Sequence, residues 1–291
     1  MRDEDTKIID KFTYKMNPSK KSLLLDALLY IERNSNLQIN LEKIASKSFY
    51  SKYHFQREFK ELFSVSPKEY VIQIRNEKAA FIIISTDRMI GDIAFEVGFE
   101  NQETFSRSFK KYFGISPLQF RNKYRKLDEI PTYPKILIRK KILESKNLVM
   151  IRSTKGIHGS KKIIPKLLSF ALQHGIHNFE SSLYGRFHDP PNFPFRNLNR
   201  VDMGFELPKT IYIKPQYPFY LETIPAGEYL SAFHFGSPKE ISNTYNRILC
   251  SIKMISNTEI MLNPPFELYH RIPPFYPENK SITEILIPHN I

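Results

Sequence analysis

One pattern is written twice in this chain, fifty residues apart, and it restricts the fold more than any other feature. The second copy runs from Ile90 to Arg121, IGDIAFEVGFENQETFSRSFKKYFGISPLQFR. Ile93, Ala94 and Val97 have the spacing of a buried helix face, and Gly98 permits the left-handed residue that ends a helix. Phe105, Phe109 and Phe113 then recur at four-residue steps, on one face of a second helix. Gly114 ends that helix. Ser116-Pro117 supplies an N-cap followed by the residue best tolerated at the first helical position. A short helix, a glycine turn and a longer helix predict a helix-turn-helix.

The first copy contains YHFQREFKELFSVSPKEY. Phe55, Arg57, Phe59, Lys60, Phe63, Val65, Ser66, Pro67 and Tyr70 align with Phe105, Arg107, Phe109, Lys110, Phe113, Ile115, Ser116, Pro117 and Phe120. Ile44-Ala45 matches Ile93-Ala94 with one residue fewer in the first turn. A repeat of this kind is one supersecondary unit used twice. Between the copies, Pro67 to Ser85 is helix-compatible and apolar at Tyr70, Val71, Ile74, Ala79, Ile82 and Ile83. Its 19 residues give a helix of about 28 Å at roughly 1.5 Å per residue. Such a linker permits two recognition helices to lie about one DNA turn, ~34 Å, apart.

With these residues in view, the stretch from about Ser22 to Arg125 resembles the tandem helix-turn-helix domain of the AraC/XylS family of bacterial transcription regulators. The motif IAFEVGF followed by FSRSFKKYFGISPLQFR carries the resemblance. The first copy departs from the family at Ser48-Phe49-Tyr50, where a small residue is more usual. The resemblance implies base contacts from Tyr53, Gln56 and Arg57 in the first copy and from Gln102, Glu103, Thr104 and Arg107 in the second. Glutamine can pair with adenine and arginine can grip guanine through two hydrogen bonds, whereas a glutamate needs a cytosine amine. Lys52, Lys60, Lys110, Lys111 and Arg121, with Lys123, are expected on phosphates.

The formal net charge of +13 favours a polyanionic partner. Ser22 to Lys126 holds 17 basic and 12 acidic residues, and Leu127 to Ile291 holds 20 and 14, so the excess, +5 against +6, does not locate the DNA-binding part. One cysteine, Cys250, excludes an intramolecular disulfide and reads as a buried thiol. The N-terminus lacks the apolar core of a signal peptide, and no 18-residue apolar run exists, so a cytoplasmic protein without a membrane partner is expected. The histidines lack metal-ligand spacing, and no phosphate loop or serine nucleophile motif occurs. The expectation is therefore no metal, no cofactor and no enzymatic activity.

Residues 1–20 read as a polar lead-in, with Ser22 capping the first helix of a domain over 21–126. Residues 127–146 read as a linker with a first extended segment. Beyond it, helical periodicity gives way to short β-prone runs: Leu148–Arg152, Leu183–Phe187, Val201–Glu206, Phe219–Ile224, Tyr229–Phe235, Phe266–His270 and Ile282–Ile287. Helical runs over Lys161–His174 and Pro238–Ile255 interrupt them. The order predicts a multi-domain protein, an all-α tandem helix-turn-helix domain followed by an α+β domain with an antiparallel sheet over 147–291.

FYLETIPAGEYLSAFHFG (Phe219 to Gly236), PPFELYHR and the closing ITEILIP make this half similar to the GyrI-like small-molecule-binding domain. The resemblance implies an effector site with a carboxylate among aromatics, mapped to Glu267 with Tyr269, Tyr229 and Phe235, and with Glu284 as second choice. If Phe266 and Leu268 pack beneath the helices, Glu267 and Tyr269 face the other way. A carboxylate among aromatic rings suits a lipophilic cation. The partners implied are double-stranded DNA, a small-molecule effector and RNA polymerase. Two alternatives stand beside this reading: hydrolysis of a small molecule with the same glutamate as general acid or base, and a module that holds another protein.

Overall fold

The computed structural model describes residues 17–47, 51–124, 136–153, 160–177, 183–188, 200–254, 264–273 and 275–289. The chain divides into two compact units, Met1–Pro131 and Thr132–Ile291.

The first unit is helical. Helix α1 spans Pro18–Asn34, α2 Leu41–Lys47, α3 Lys52–Phe63, α4 Pro67–Ser85, α5 Ile90–Glu96, α6 Gln102–Phe113 and α7 Pro117–Tyr124. Helix α1 begins earlier than expected. Asn17 is its cap, accepting from the Ser19 amide, and Pro18 takes the first helical position. Ser22, read as the cap from sequence, instead donates to the Pro18 carbonyl one turn back. Ser48-Phe49-Tyr50, where the first copy departs from its family, lie outside the described residues.

The repeat is legible in its caps. Ser51 and Asn101 cap α3 and α6, each accepting from the amide three residues on. Both helices end on a left-handed residue, Ser64 at φ 61° and Gly114 at φ 78°. Ser66 and Glu69 then form a reciprocal capping box on α4, and Ser116 and Gln119 repeat it on α7. Phe55, Phe59, Phe105 and Phe109 are wholly buried. Their rings continue into Phe63, which is tilted against Phe59, and into Phe113 and Phe120, which meet Phe109 edge to face. Full burial of each ring is worth roughly 2–3 kcal/mol.

Polar pins hold α4 between the two copies. Arg75 donates to the Ser35 and Leu37 carbonyls and lies over the Phe99 ring. Asn76 donates to Ser108 on α6, and the Tyr112 hydroxyl donates to Glu77. Gly98, at φ 100°, turns the chain between α5 and α6, where a Cβ would stand 2.7 Å from the Asn36 carbonyl oxygen.

The second unit is one eight-stranded antiparallel sheet with helices α8 (Ser160–Gln173) and α9 (Ile241–Met254). Its strands are β1 Arg139–Leu143, β2 Lys146–Ser153, β3 Leu183–Phe187, β4 Val201–Glu206, β5 Phe219–Ile224, β6 Gly227–Phe235, β7 Phe266–Arg271 and β8 Ile282–His289. Strand β1, expected only as an extended part of the connecting stretch, pairs with β6 and so belongs to this unit. A 3-10 turn, Pro238–Glu240, precedes α9.

The order β1-β6-β8-β7-β3-β4-β2-β5 is palindromic in plan. A β-α-β-β unit (β2, α8, β3, β4) meets a second (β6, α9, β7, β8) along the β3–β7 pair, and β5 and β1 close the two edges. Under α8 lie Val149, Ile151, Leu183, Val201, Met203, Phe205 and Tyr269; under α9 lie Leu230, Ala232, Ile285 and Ile287. Strand alternation sends the intervening residues to the opposite face. That face curls: Arg186 on β3 reaches Glu222 on β5 at 3.0 Å across two intervening strands.

Gly98→Ala must strain the backbone and push on the Asn36 carbonyl. Loss of roughly 2 kcal/mol of stability is expected, read as a lower urea midpoint with the slope unchanged.

Candidate DNA interface and effector site

The N-terminal turns of α3 and α6 carry most of the expected readers, and the buried phenylalanines fix which side points outward. Tyr53 is 83 % exposed, and Arg57, Gln102, Glu103, Thr104 and Arg107 are exposed as well. Gln56 is half-buried. Lys52, Lys60, Lys110, Lys111 and Lys123 are exposed, Lys52 in an ion pair with Glu42 at 2.8 Å. Exposed pairs of that kind contribute little and are screened by salt.

The two equivalent arginines are held differently. Arg107 pairs with Glu103 one turn back at 3.5 Å. Arg57 lies against the His54 ring at 3.0 Å and Glu58 at 3.4 Å. His54 and Glu58 are thus neighbours of the reading surface that sequence alone passed over. Asn101, as the α6 cap, also borders that surface, accepting from the Thr104 amide at 2.8 Å.

Arg121 requires a correction. Its guanidinium donates to the Ile83 and Arg88 carbonyls at 3.2 and 2.6 Å, bracing α7 against the end of α4. Its cationic group is turned inward to the protein backbone rather than held out for phosphate.

In the second unit the four expected effector residues do not share a face. Glu267 and Tyr269 lie beneath the helices, not opposite them: Tyr269 belongs to the core under α8, and Tyr245 of α9 donates to Glu267 at 2.8 Å. The expected orientation of the FELY strand is therefore reversed, with Phe266 and Leu268 on the open face. Glu267 is 2 % exposed, and burial pushes its carboxyl up to about 7, although hydrogen bonds from Tyr245 and Tyr269 pull the other way. Burial also raises both tyrosines.

Tyr229 and Phe235 lie on the opposite face. Tyr229 is buried, with its hydroxyl donating to the Pro225 carbonyl. Phe235 is 70 % exposed and stacks at 6.0 Å on Phe233, which stacks at 5.7 Å on His270. This aromatic series ends at Glu284, the second choice from sequence. Glu284 is 2 % exposed and takes Lys141 at 2.7 and 2.9 Å, Ser231 at 2.6 Å and His270 at 3.1 Å. Burial pushes this carboxyl up, but the bonds from Lys141, Ser231 and His270 outweigh it and hold it low.

The same face has a second acid centre. Asp202, fully buried, receives two bonds from Arg152 at 2.7 and 2.8 Å and a third interaction from His188. Its desolvation is overcome by those partners, and its carboxyl lies well below the usual range. Among the described residues no group of three His, Cys, Asp or Glu side chains could hold a metal, and no helix is long and apolar enough to cross a membrane. The Cys250 side chain lies outside what is described.

Residues 138–290 match the GyrI-like small molecule binding domain, and residues 44–123 match a helix-turn-helix domain. The chain belongs to the AraC-type helix-turn-helix regulators and carries a GyrI-like domain. It is 33 % identical over 110 residues to the HTH-type transcriptional activator AarP of Providencia stuartii, covering 38 % of this chain and 82 % of that one. It is 32 % identical over 105 residues to the regulatory protein SoxS of Escherichia coli, covering 36 % and 98 %. The putative HTH-type transcriptional regulator YkgA of Escherichia coli is 37 % identical over 121 residues, 41 % of this chain. The match spans half of YkgA's length.

Arg107→Ala is expected to weaken DNA binding and relax the preference at one or two base pairs, by about 1–3 kcal/mol at each. Lys111→Ala is expected to weaken all sequences alike and flatten the salt slope. Affinities across a sequence library at two salt concentrations separate the two. Glu267 holds its proton more tightly folded than unfolded. Stability should therefore fall as pH rises from about 4.5 to about 7 and level off above, with a total of about 3 kcal/mol. That slope should be missing from urea titrations of Glu267→Gln.

Proposed function

We propose that this protein is a transcription regulator that reads DNA with α3 and α6 and is modulated by an aromatic cation on the open face of its sheet. DNA reading rests on two exposed helix N-termini whose cores are pinned to one linker helix. Tyr53, Gln56 and Arg57, and Gln102, Glu103, Thr104 and Arg107, are the proposed base readers. Lys52, Lys60, Lys110 and Lys111 are the proposed phosphate contacts. Such a protein works where bacterial DNA lies, in the cytoplasm, and contact with RNA polymerase would turn binding into regulation.

The observation that carries the effector reading is the run of stacked, exposed rings, Phe235, Phe233 and His270, leading to buried Glu284. An aromatic cation can spread over the rings and bring its charge to a carboxylate that desolvation has made a strong acceptor of charge. Lys141, whose side chain is 39 % exposed, is the partner such a ligand would displace. Phe235 is the expected residue that this reading uses; Tyr229 shares the face but is buried with its hydroxyl on Pro225, and Glu267 and Tyr269 lie behind the sheet.

A second reading, hydrolysis with Glu267 as general acid or base, draws on its carboxyl near 7 beside two tyrosines. Product accumulating over many turnovers, and lost in Glu267→Gln, would establish that activity.

A thermal-shift screen with aromatic cations should raise the melting temperature of the wild type but not of Glu284→Gln or Phe233→Ala. A response kept in both variants and lost in Glu267→Gln would move the site beneath α9. Selection of DNA from a random pool, with and without the responding compound, should return two half-sites about one turn apart and a changed yield. A pool with no enriched sequence would sink the DNA reading.

A further inference from the structure

The two β-α-β-β units place their acids in equivalent positions. Across β2 and β4, Arg152 stands directly opposite Asp202; across β6 and β8, Phe233 stands directly opposite Glu284. On the other flank, Arg186 of β3 faces Asp202 and Leu268 of β7 faces Glu284. Two residues beyond each of these come His188 and His270, and each contacts the acid of its own half. Acid and histidine are thus kept in both halves, and both arginines are exchanged for apolar residues in the second.

The exchange leaves an opening. In the first half the Arg152 side chain is 7 % exposed and that of His188 8 %. In the second, Phe233 is 37 % exposed and the His270 side chain 40 %. Arg152 fills the first centre by presenting a planar fork to both carboxylate oxygens. Among the described residues no guanidinium bonds Glu284 in the second. Its cation is Lys141, a point charge that arrives from the neighbouring edge strand.

We infer that the effector site takes a planar guanidinium or amidinium on an aromatic body, which does for Glu284 what Arg152 does for Asp202. This rests on the effector reading above and narrows it to one class of ligand. The ligand's two N–H groups would bond the two Glu284 oxygens, displacing the Lys141 ammonium into water. Its flat face would lie on Phe233, since guanidinium planes stack on rings and are weakly hydrated. A quaternary ammonium of the same charge has no N–H to offer. A site whose acceptor asks for two donors discriminates against it more strongly than an apolar pocket can.

Titration calorimetry of the full chain with phenylguanidinium and with phenyltrimethylammonium tests this, because the ring and the charge are shared. At least tenfold tighter binding of phenylguanidinium is expected, with the difference gone in Glu284→Gln. Phe233→Arg supplies a guanidinium from the strand itself, so it should abolish binding of the free one while keeping the fold. Equal affinities in the wild type, a preference that survives in Glu284→Gln, or binding that survives in Phe233→Arg would each overturn the inference. If both cations bind equally and both are lost in Glu284→Gln, the aromatic-cation reading stands and the guanidinium inference falls. If neither binds, both fall.

Discussion

A carboxylate removed from water must be met by positive charge and hydrogen bonds, or it keeps its proton. Three acids in the sheet of the second unit meet this demand in different ways. Asp202 is held charged by an arginine fork and a histidine. Glu284 is held charged by a lysine from the edge strand, a serine and a histidine. Glu267 has two tyrosine hydroxyls, and its carboxyl rises toward neutrality. The sheet sets this apart from the other two, since alternation sends Glu267 under the helices and the others to the open face. Which acid can serve a ligand follows from that division.

The first unit depends on a different constraint. Its two reading helices lie on separate small cores of phenylalanine, and neither core alone would fix the distance between them. Helix α4 does so, with Asn76 and Glu77 bonded to α6 and Arg75 bonded to the end of α1. Arg121 braces the far end. The pins are hydrogen bonds donated by two arginines, an asparagine amide and a tyrosine hydroxyl, and those that are part-buried are costly to leave unmade.

The helix-turn-helix repeat was legible because its signals are local. Phenylalanines at four-residue steps, a left-handed stop and a Ser-Pro start are each decided within a few residues. The strands other than β1 were legible for the same reason, several of them to the residue. What sequence could not supply was decided by tertiary pairing. Period-two alternation shows that Glu267 and Leu268 point apart, but not which of them the helices cover. Arg121 reads as a basic residue at a helix end, and only the fold shows the carbonyls it meets. The second repeat was invisible because its halves correspond in register and share only an acid and a histidine in residue type: Arg152 stands where Phe233 does, and Arg186 where Leu268 does.

The palindromic strand order has a consequence for how such a sheet can change. When one unit is present twice, the demands on it need not be met twice. The half containing Asp202 is closed by its own side chains and can anchor the sheet whatever the other half binds. The half containing Glu284 is then free to vary at Phe233, Phe235 and Leu268 without unsettling the centre. A family built on this plan could acquire new ligands by drift in one copy, while the other keeps the architecture in being.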